Sequence, residues 1–264
     1  MKQHTPIWLC MAFIAGCAPR EKEPDRFEEL FQGELKIVDL THPLNETSPY
    51  WPDPNGYAFD YDTLIKQPSG APGMGRYKVS EHLGTHMDAP IHFADGKSSI
   101  DDIAPNEMFG PAVVIDVSSK CEADADYVLV KQDLVDWETN NGPIPERAIV
   151  LMNTGWGKKW DNPEAYKNED EKGQMHFPGF SAEAAEFLVK QRNILGIGID
   201  NFSVDRAIAV DFPAHLIVNG AGKFHLENVA NLDQLPATGA YLINAPIKIE
   251  GGSGGQVRIF AVVP

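Results

Sequence analysis

The chain has 264 residues, 43% of them hydrophobic and 23% charged, enough for one large domain with a full core or two small ones. A formal net charge of −16, with no cluster of Lys and Arg, argues against nucleic-acid binding, which wants a basic surface. Three cysteines are present, Cys10, Cys17 and Cys121.

At the N-terminus Lys2 precedes an apolar run over residues 7–14, too short to span a bilayer and of the length of a secretory h-region. The run ends in Ile14-Ala15-Gly16-Cys17, which resembles a bacterial lipobox. That resemblance implies a signal peptide over 1–16 and lipidation of Cys17. It also implies a protein of the cell envelope that meets the membrane only through its anchor, and Ala18 after the cysteine resembles the pattern for outer-membrane delivery. Residues 17–34 are charged, contain proline, and read as a flexible tether. Cys10 leaves with the signal, so Cys121 remains alone, in a polar stretch that reads as a loop with an unremarkable thiol.

Residues 35–264 read as a single folded domain. Short Val- and Ile-rich runs bounded by turn residues predict strands at 35–40, 77–81, 112–117, 148–152, 194–199, 240–243 and 257–263. Two helices are predicted, at 132–139 and at 181–191, the second with Ser181 as its N-cap. Residues 156–178 are polar, with charges and proline, and read as an excursion from the core. Too few helices separate the strands for a doubly wound parallel sheet, so the fold class is α/β with a strand-rich mixed or antiparallel sheet.

The chemistry concentrates in His82-Leu83-Gly84-Thr85-His86-Met87-Asp88-Ala89-Pro90-Ile91-His92. Histidine with aspartate is the donor set of zinc or manganese. Gly84 and Pro90 prevent one continuous helix. In an extended chain His82, His86, Asp88 and His92 would share a face. Four extended residues span roughly 13 Å, too far for His82 and His86 to share an ion, so a bend at Gly84 is needed. The reading is a bent strand carrying a metal site. Further on, His215 and Glu227 flank a turn containing Gly220 and Gly222, which can fold two distant ligands together.

Every fixed position of the stretch matches His-x-Gly-Thr-His-x-Asp-x-Pro-x-His. It resembles the signature of the cyclase family of metal-dependent hydrolases, which includes bacterial kynurenine formamidase and isatin hydrolase. The resemblance runs over about residues 35–263 and takes in Asp39-Leu40-Thr41-His42-Pro43-Leu44, Leu151-Met152-Asn153-Thr154-Gly155-Trp156 and Gly198-Ile199-Asp200. It implies a swivelling β/β/α fold and a homo-oligomer. It implies that His82, His86 and Asp88 bind a first metal, that Asp88 bridges to a second ion held by His215 and Glu227, and that His92 is the general base or acid. Two zinc ions are the implied cofactors, with manganese as the alternative. The implied reaction is hydrolysis of a C–N amide bond in a small molecule, N-formylkynurenine first. An isatin-like lactam is the enzyme alternative, and a non-catalytic metal- or ligand-binding envelope protein is the alternative of another class. Asp200 and Asp205 are candidates to orient ligand histidines, and Trp51 and Trp156, with Tyr50, to form an aromatic wall. Where family members commonly have Thr-Pro after the aspartate at 200, this chain has Asn201-Phe202, which changes the expected pocket wall. His42 and His225 receive no role.

Overall fold

The structure, a computed structural model, describes residues 26–52, 58–65 and 72–263. The predicted signal segment and Cys17 lie outside the described residues. The chain divides into two units, Met1–Glu34 and Leu35–Pro264. In the first unit, part of the predicted tether is a short helix, α1 (Arg26–Gln32). Its Gln32 side chain donates to Glu28 across one turn at 3.0 Å, a spacing that supports helix rather than coil.

In the second unit, β1 (Lys36–Asp39) is followed by a hairpin of β2 (Asp60–Ile65) and β3 (Met74–Lys78), then by the short β4 (His86–Asp88). After β5 (Phe109–Asp116) and α2 (Ser118–Ala123) come β6 (Val128–Leu129), α3 (Lys131–Asn141), β7 (Ile149–Asn153), α4 (Pro163–Lys167), β8 (Gly179–Phe180) and α5 (Ala182–Gln191). The chain ends with β9 (Gly196–Ile199), α6 (Pro213–Gly220), β10 (Phe224–Glu227), β11 (Tyr241–Pro246) and β12 (Gly254–Val263).

One eight-stranded sheet runs β1-β12-β11-β5-β7-β9-β10-β4, and β4 also pairs with β12, so seven strands close on themselves with β1 added outside. The sheet is mixed: β5, β7, β9 and β10 are parallel, the other pairings antiparallel. The parallel strands are buried on both faces, and their sequences are accordingly apolar almost without break. Alternation sorts them. Ile149 and Leu151 point into the closed sheet with Val114, Leu226 and Met87, while Val150 and Met152 point outward beneath Leu134 of α3 and Leu188 of α5.

Several expectations are corrected at this level. Cys121 lies on α2 with 4% of its surface exposed, not in a polar loop. His215 does not flank a bare turn: it sits in the first half of helix α6, hidden in sequence because Phe212, Pro213 and two glycines read as breakers. Pro213 is tolerated there because the first helical position needs no N–H. The 156–178 excursion packs as its own apolar cluster of Trp156, Trp160, Tyr166, Met175, Phe177 and Phe202.

Candidate metal centre

The centre is assembled by three pieces of chain. Gly84 turns with φ +70°, a conformation a side chain resists, and a Cβ there would stand 2.4 Å from Leu44 Cδ2. This is the bend that the His82-to-His86 spacing requires. Only His86–Asp88 is strand; His92 lies in a 3₁₀ turn, Pro90–His92. In β4, His86 and Asp88 share a face while Met87 enters the core. The antiparallel partner β10 sets Glu227 opposite His86 and His225 opposite Asp88. On the other side β12 sets Gly254 opposite Asp88, and a Cβ at Gly254 would lie 2.6 Å from the His82 ring. Gly254, the first residue of β12, therefore makes room for His82. Helix α6 supplies His215.

These side chains converge. His82 Nδ1 is 2.6 Å from Asp88 Oδ1, and His86 Nε2 is 3.2 Å from the same oxygen. The other Asp88 oxygen faces His215 Nε2 and His225 Nδ1, each at 3.4 Å. Glu227 spans the two sides, with Oε2 at 3.3 Å from His86 and Oε1 at 3.3 Å from His215. Three sets of ligand atoms lie within 4.8 Å of one another: His82, Asp88 and His92; His86, Asp88 and Glu227; Asp88, His215 and His225.

Three of the imidazoles, those of His86, His215 and His82, are oriented from behind. His86 Nδ1 is 2.9 Å from the Gly84 carbonyl, which turns Nε2 toward the carboxylates. His215 Nδ1 is 2.7 Å from Asp205 Oδ2, and Asp205 also accepts the backbone N–H groups of Ala214 and His215 at the start of α6. His82 Nε2 is 2.9 Å from Ser253 Oγ, which donates to Glu81 at 2.6 Å. Asp200 does not reach a ligand histidine: it accepts from the Thr154 backbone and hydroxyl and from Gly157 N–H. Sequence reasoning left out His225, although it shares strand parity with Glu227, and left out Glu81 and Ser253, whose pairing only the closed sheet reveals.

The charges are unusual. Asp88 and Glu227 are 0% and 4% exposed, and among the described residues no Lys or Arg lines the cavity above them. Burial alone would raise the Asp88 pKa, but His82 and His86 beside it hold it well below the usual range. Burial and the Asp88 charge push Glu227 up, yet His215 and His86 hold it at about 2. Burial pulls the His86 pKa down, and the two carboxylates more than offset that and raise it to about 10. His215 is raised for the same reason, by Asp205, Asp88 and Glu227 against burial. The pocket thus demands positive charge next to buried carboxylates. His86 Nε2 is also buried without a hydrogen-bond partner. An orphaned nitrogen aimed at two carboxylates, within a borderline N/O donor set, fits a divalent cation.

The centre opens onto a cavity of about 630 Å³. Its walls include Tyr50, Trp51, Phe93, Phe202 and Phe212, and its floor His82, His92, His215 and Glu227. His92 stacks on His82 with centroids 3.9 Å apart. Burial, and the neighbouring His82 and His215, lower its pKa to about 4 against the pull of Asp88 and Glu227, so it is neutral near pH 7. Trp156 does not line this cavity: it is buried, and its indole N–H donates to the Tyr166 carbonyl at 2.8 Å. Phe202, at the position where the sequence departs from the family pattern, is part of the wall.

Comparison with known proteins gives a consistent picture. The Cyclase family profile matches residues 38–206. The chain is 34% identical to an isatin hydrolase of Roseibium aggregatum over 251 residues, covering 89% of this chain and 95% of that protein. It is 31% identical to a kynurenine formamidase of Bacillus cereus over 222 residues, 84% of this chain and 94% of the relative. Among solved structures, an isatin hydrolase bound to the product analogue thioisatinate superposes with a TM-score of 0.83 at 34% identity, over 90% of this chain and 96% of the other.

Proposed function

The chain belongs to the Cyclase family, and on that premise we propose that it is a metal-dependent hydrolase that opens a C–N amide bond, with a cyclic aromatic amide of the isatin kind as its substrate. The observation that carries the reading is the convergence of His82, His86, Asp88, His215 and Glu227, three of which (His82, His215 and Glu227) line the floor of an aromatic-walled cavity. The lactam is preferred over N-formylkynurenine because the isatin hydrolase relative matches at higher identity and over more of the chain than the formamidase does. Asp88 presents one oxygen to His82 and His86 and the other to His215, which supports two ions, zinc in the first instance and manganese as the alternative.

His82, His86, Asp88, His215 and Glu227 would hold a divalent ion, which when bound would lower the pKa of a water from 15.7 toward about 7 and polarise the amide carbonyl. The rest is done by the chain. Tyr50, Trp51 and Phe202 offer flat apolar surface to an aromatic amide and displace water from it. His92, on the cavity floor and neutral, accepts the proton given up by the attacking water and returns it to the departing amide nitrogen. Asp205 holds His215, and Gly84 holds His86, so that the donors do not have to reorganise.

The test is turnover by the purified protein with isatin and with N-formylkynurenine, compared as kcat/KM. A value for isatin of about 10⁴ M⁻¹s⁻¹ or more supports the lactam reading. Preference for the formamide would move the assignment to that substrate, and no turnover of either would remove it. We also propose that the protein is a homo-oligomer. The row Ile37–Val262–Tyr241, in register across β1, β12 and β11, leaves Ile37 53% and Tyr241 59% exposed, which supports this. Sedimentation at a single monomer mass at micromolar concentration would refute it.

A further inference from the structure

We propose that Tyr166, on α4 and away from the cavity, is a positioning residue for the imidazole of His86, acting through Asn228 and the carbonyl of Gly84. The inference rests on His86 being a metal ligand and adds to that reading.

The Gly84 carbonyl that fixes His86 Nδ1 carries a second donor. Asn228 Nδ2 reaches it at 2.9 Å, the same distance as the histidine nitrogen. The amide oxygen of Asn228 accepts the Tyr166 hydroxyl at 2.8 Å. Asn228 grips the turn twice, since its backbone carbonyl also accepts the Thr85 hydroxyl at 2.7 Å. Its own backbone is fixed in the left-handed region at φ 52°, and its N–H donates to the Asn201 carbonyl at 2.8 Å. Tyr166, Asn228 and His86 are 0%, 3% and 2% exposed, so water does not replace a lost partner cheaply.

The orientation of the amide is what the phenol controls. With the amide reversed, Asn228 Oδ1 would face the Gly84 carbonyl, two acceptors against each other. A hydroxyl donating to Oδ1 favours the arrangement that keeps the N–H groups on Gly84. The phenol has one proton, and its next acceptor, the Asp200 carbonyl, is farther at 3.1 Å. Without the hydroxyl the amide loses its anchor, the Gly84 carbonyl is freer to tilt, and His86 Nε2 is held less well. Groups bonded directly to a ligand histidine, as the Gly84 carbonyl is to His86, typically change metal affinity about 10–100-fold, and the phenol behind Asn228 is expected at the low end of that range. The segment 156–178 thereby gains a role beyond packing, as the carrier of this phenol.

The experiment titrates the chelator-stripped full-length protein with Co²⁺, by calorimetry and by the cobalt d–d absorption. Tyr166→Phe, which keeps the ring, is expected to bind about tenfold more weakly and to shift the cobalt band, with the unfolding midpoint of the stripped protein little changed. Asn228→Ala is expected to weaken binding at least as much, and the double variant no more than Asn228→Ala alone, because the hydroxyl acts through the amide. Asn228→Asp, which keeps the acceptor and loses the donor, substitutes if Asn228→Ala does not fold. Wild-type affinity and an unshifted band in Tyr166→Phe would overturn the inference, as would losses that multiply in the double variant. Wild-type protein that binds no cobalt would overturn the metal reading itself, and this inference with it.

Discussion

His92 is the residue on which the chemistry turns, because it faces the cavity from the floor yet is not tied to a fixed partner as His82, His86 and His215 are. In His92→Ala, bound metal is expected to remain while kcat falls by about 10²–10⁴, the usual worth of a positioned acid–base group. Elemental analysis beside initial rates checks this; loss of metal in the variant would make His92 a ligand, which its place beside His82 and Asp88 also allows geometrically. The ligand-type residues were legible because four of them fall in one short stretch with a glycine where the bend must be. Tyr166, Asn228, Glu81 and Ser253 were not. Each acts through a contact 62 to 172 residues away in sequence, which leaves no local pattern.

At the scale of elements, the turn before β4 does the most. Gly84→Ala places a methyl against Leu44 and forces a positive φ on an L-residue. A cost of about 1–3 kcal/mol in stability is expected, together with loss of metal binding as the Gly84 carbonyl leaves His86. Denaturant unfolding with a metal titration reads both, and a variant with wild-type stability and affinity would show that the bend is not what brings His82 to His86. A different element offers a pH signature. At the start of α3, Asp133 accepts the Val130 N–H at 2.8 Å and the Tyr127 hydroxyl at 2.7 Å and pairs with Lys120. Burial would raise its pKa, but Lys120, Tyr127 and the Val130 amide hold it below 3.8. The unfolded chain therefore takes up this proton first as pH falls, so the stabilisation is complete above about pH 5 and is lost through the acid range. Asp133→Asn is expected to cost about 1–3 kcal/mol at neutral pH, with the gap to wild type closing below about pH 4. A gap that stays constant in urea melts down to acid pH would contradict the assignment. Helix α5 was legible in full because Ser181 caps it, accepting from Ala184 N–H, and its apolar face is regular. Helix α6 and strand β10 were not. Proline, asparagine and two glycines around them mimic a turn, and only the register with β4 shows that Phe224–Glu227 is strand.

Across the whole molecule, the sequence reading of a strand-rich mixed sheet with few helices holds, since strands such as β5, β7 and β12 carry long apolar runs that no helix period fits. Closure of the sheet was not legible. It depends on three residues of β4 bridging β10 and β12, a strand too short to announce itself. That closure is what places a ligand pair from early in the domain against a ligand pair from late in it. The proposed lipid anchor belongs to this scale as well. Cys17→Ala protein expressed with its leader is expected in the soluble fraction and wild type with membranes; equal partition of both would remove the anchor.

The central claim is that the cluster around Asp88 is a metal centre that hydrolyses an amide. The measurement that meets it most directly is the rate of isatin ring opening as Zn²⁺ or Mn²⁺ is added back to chelator-stripped protein. The account predicts no rate without metal, then a rise that breaks sharply at one or two equivalents per chain, two if Asp88 bridges. A full rate in the presence of excess chelator, from protein shown to hold no metal, would contradict it.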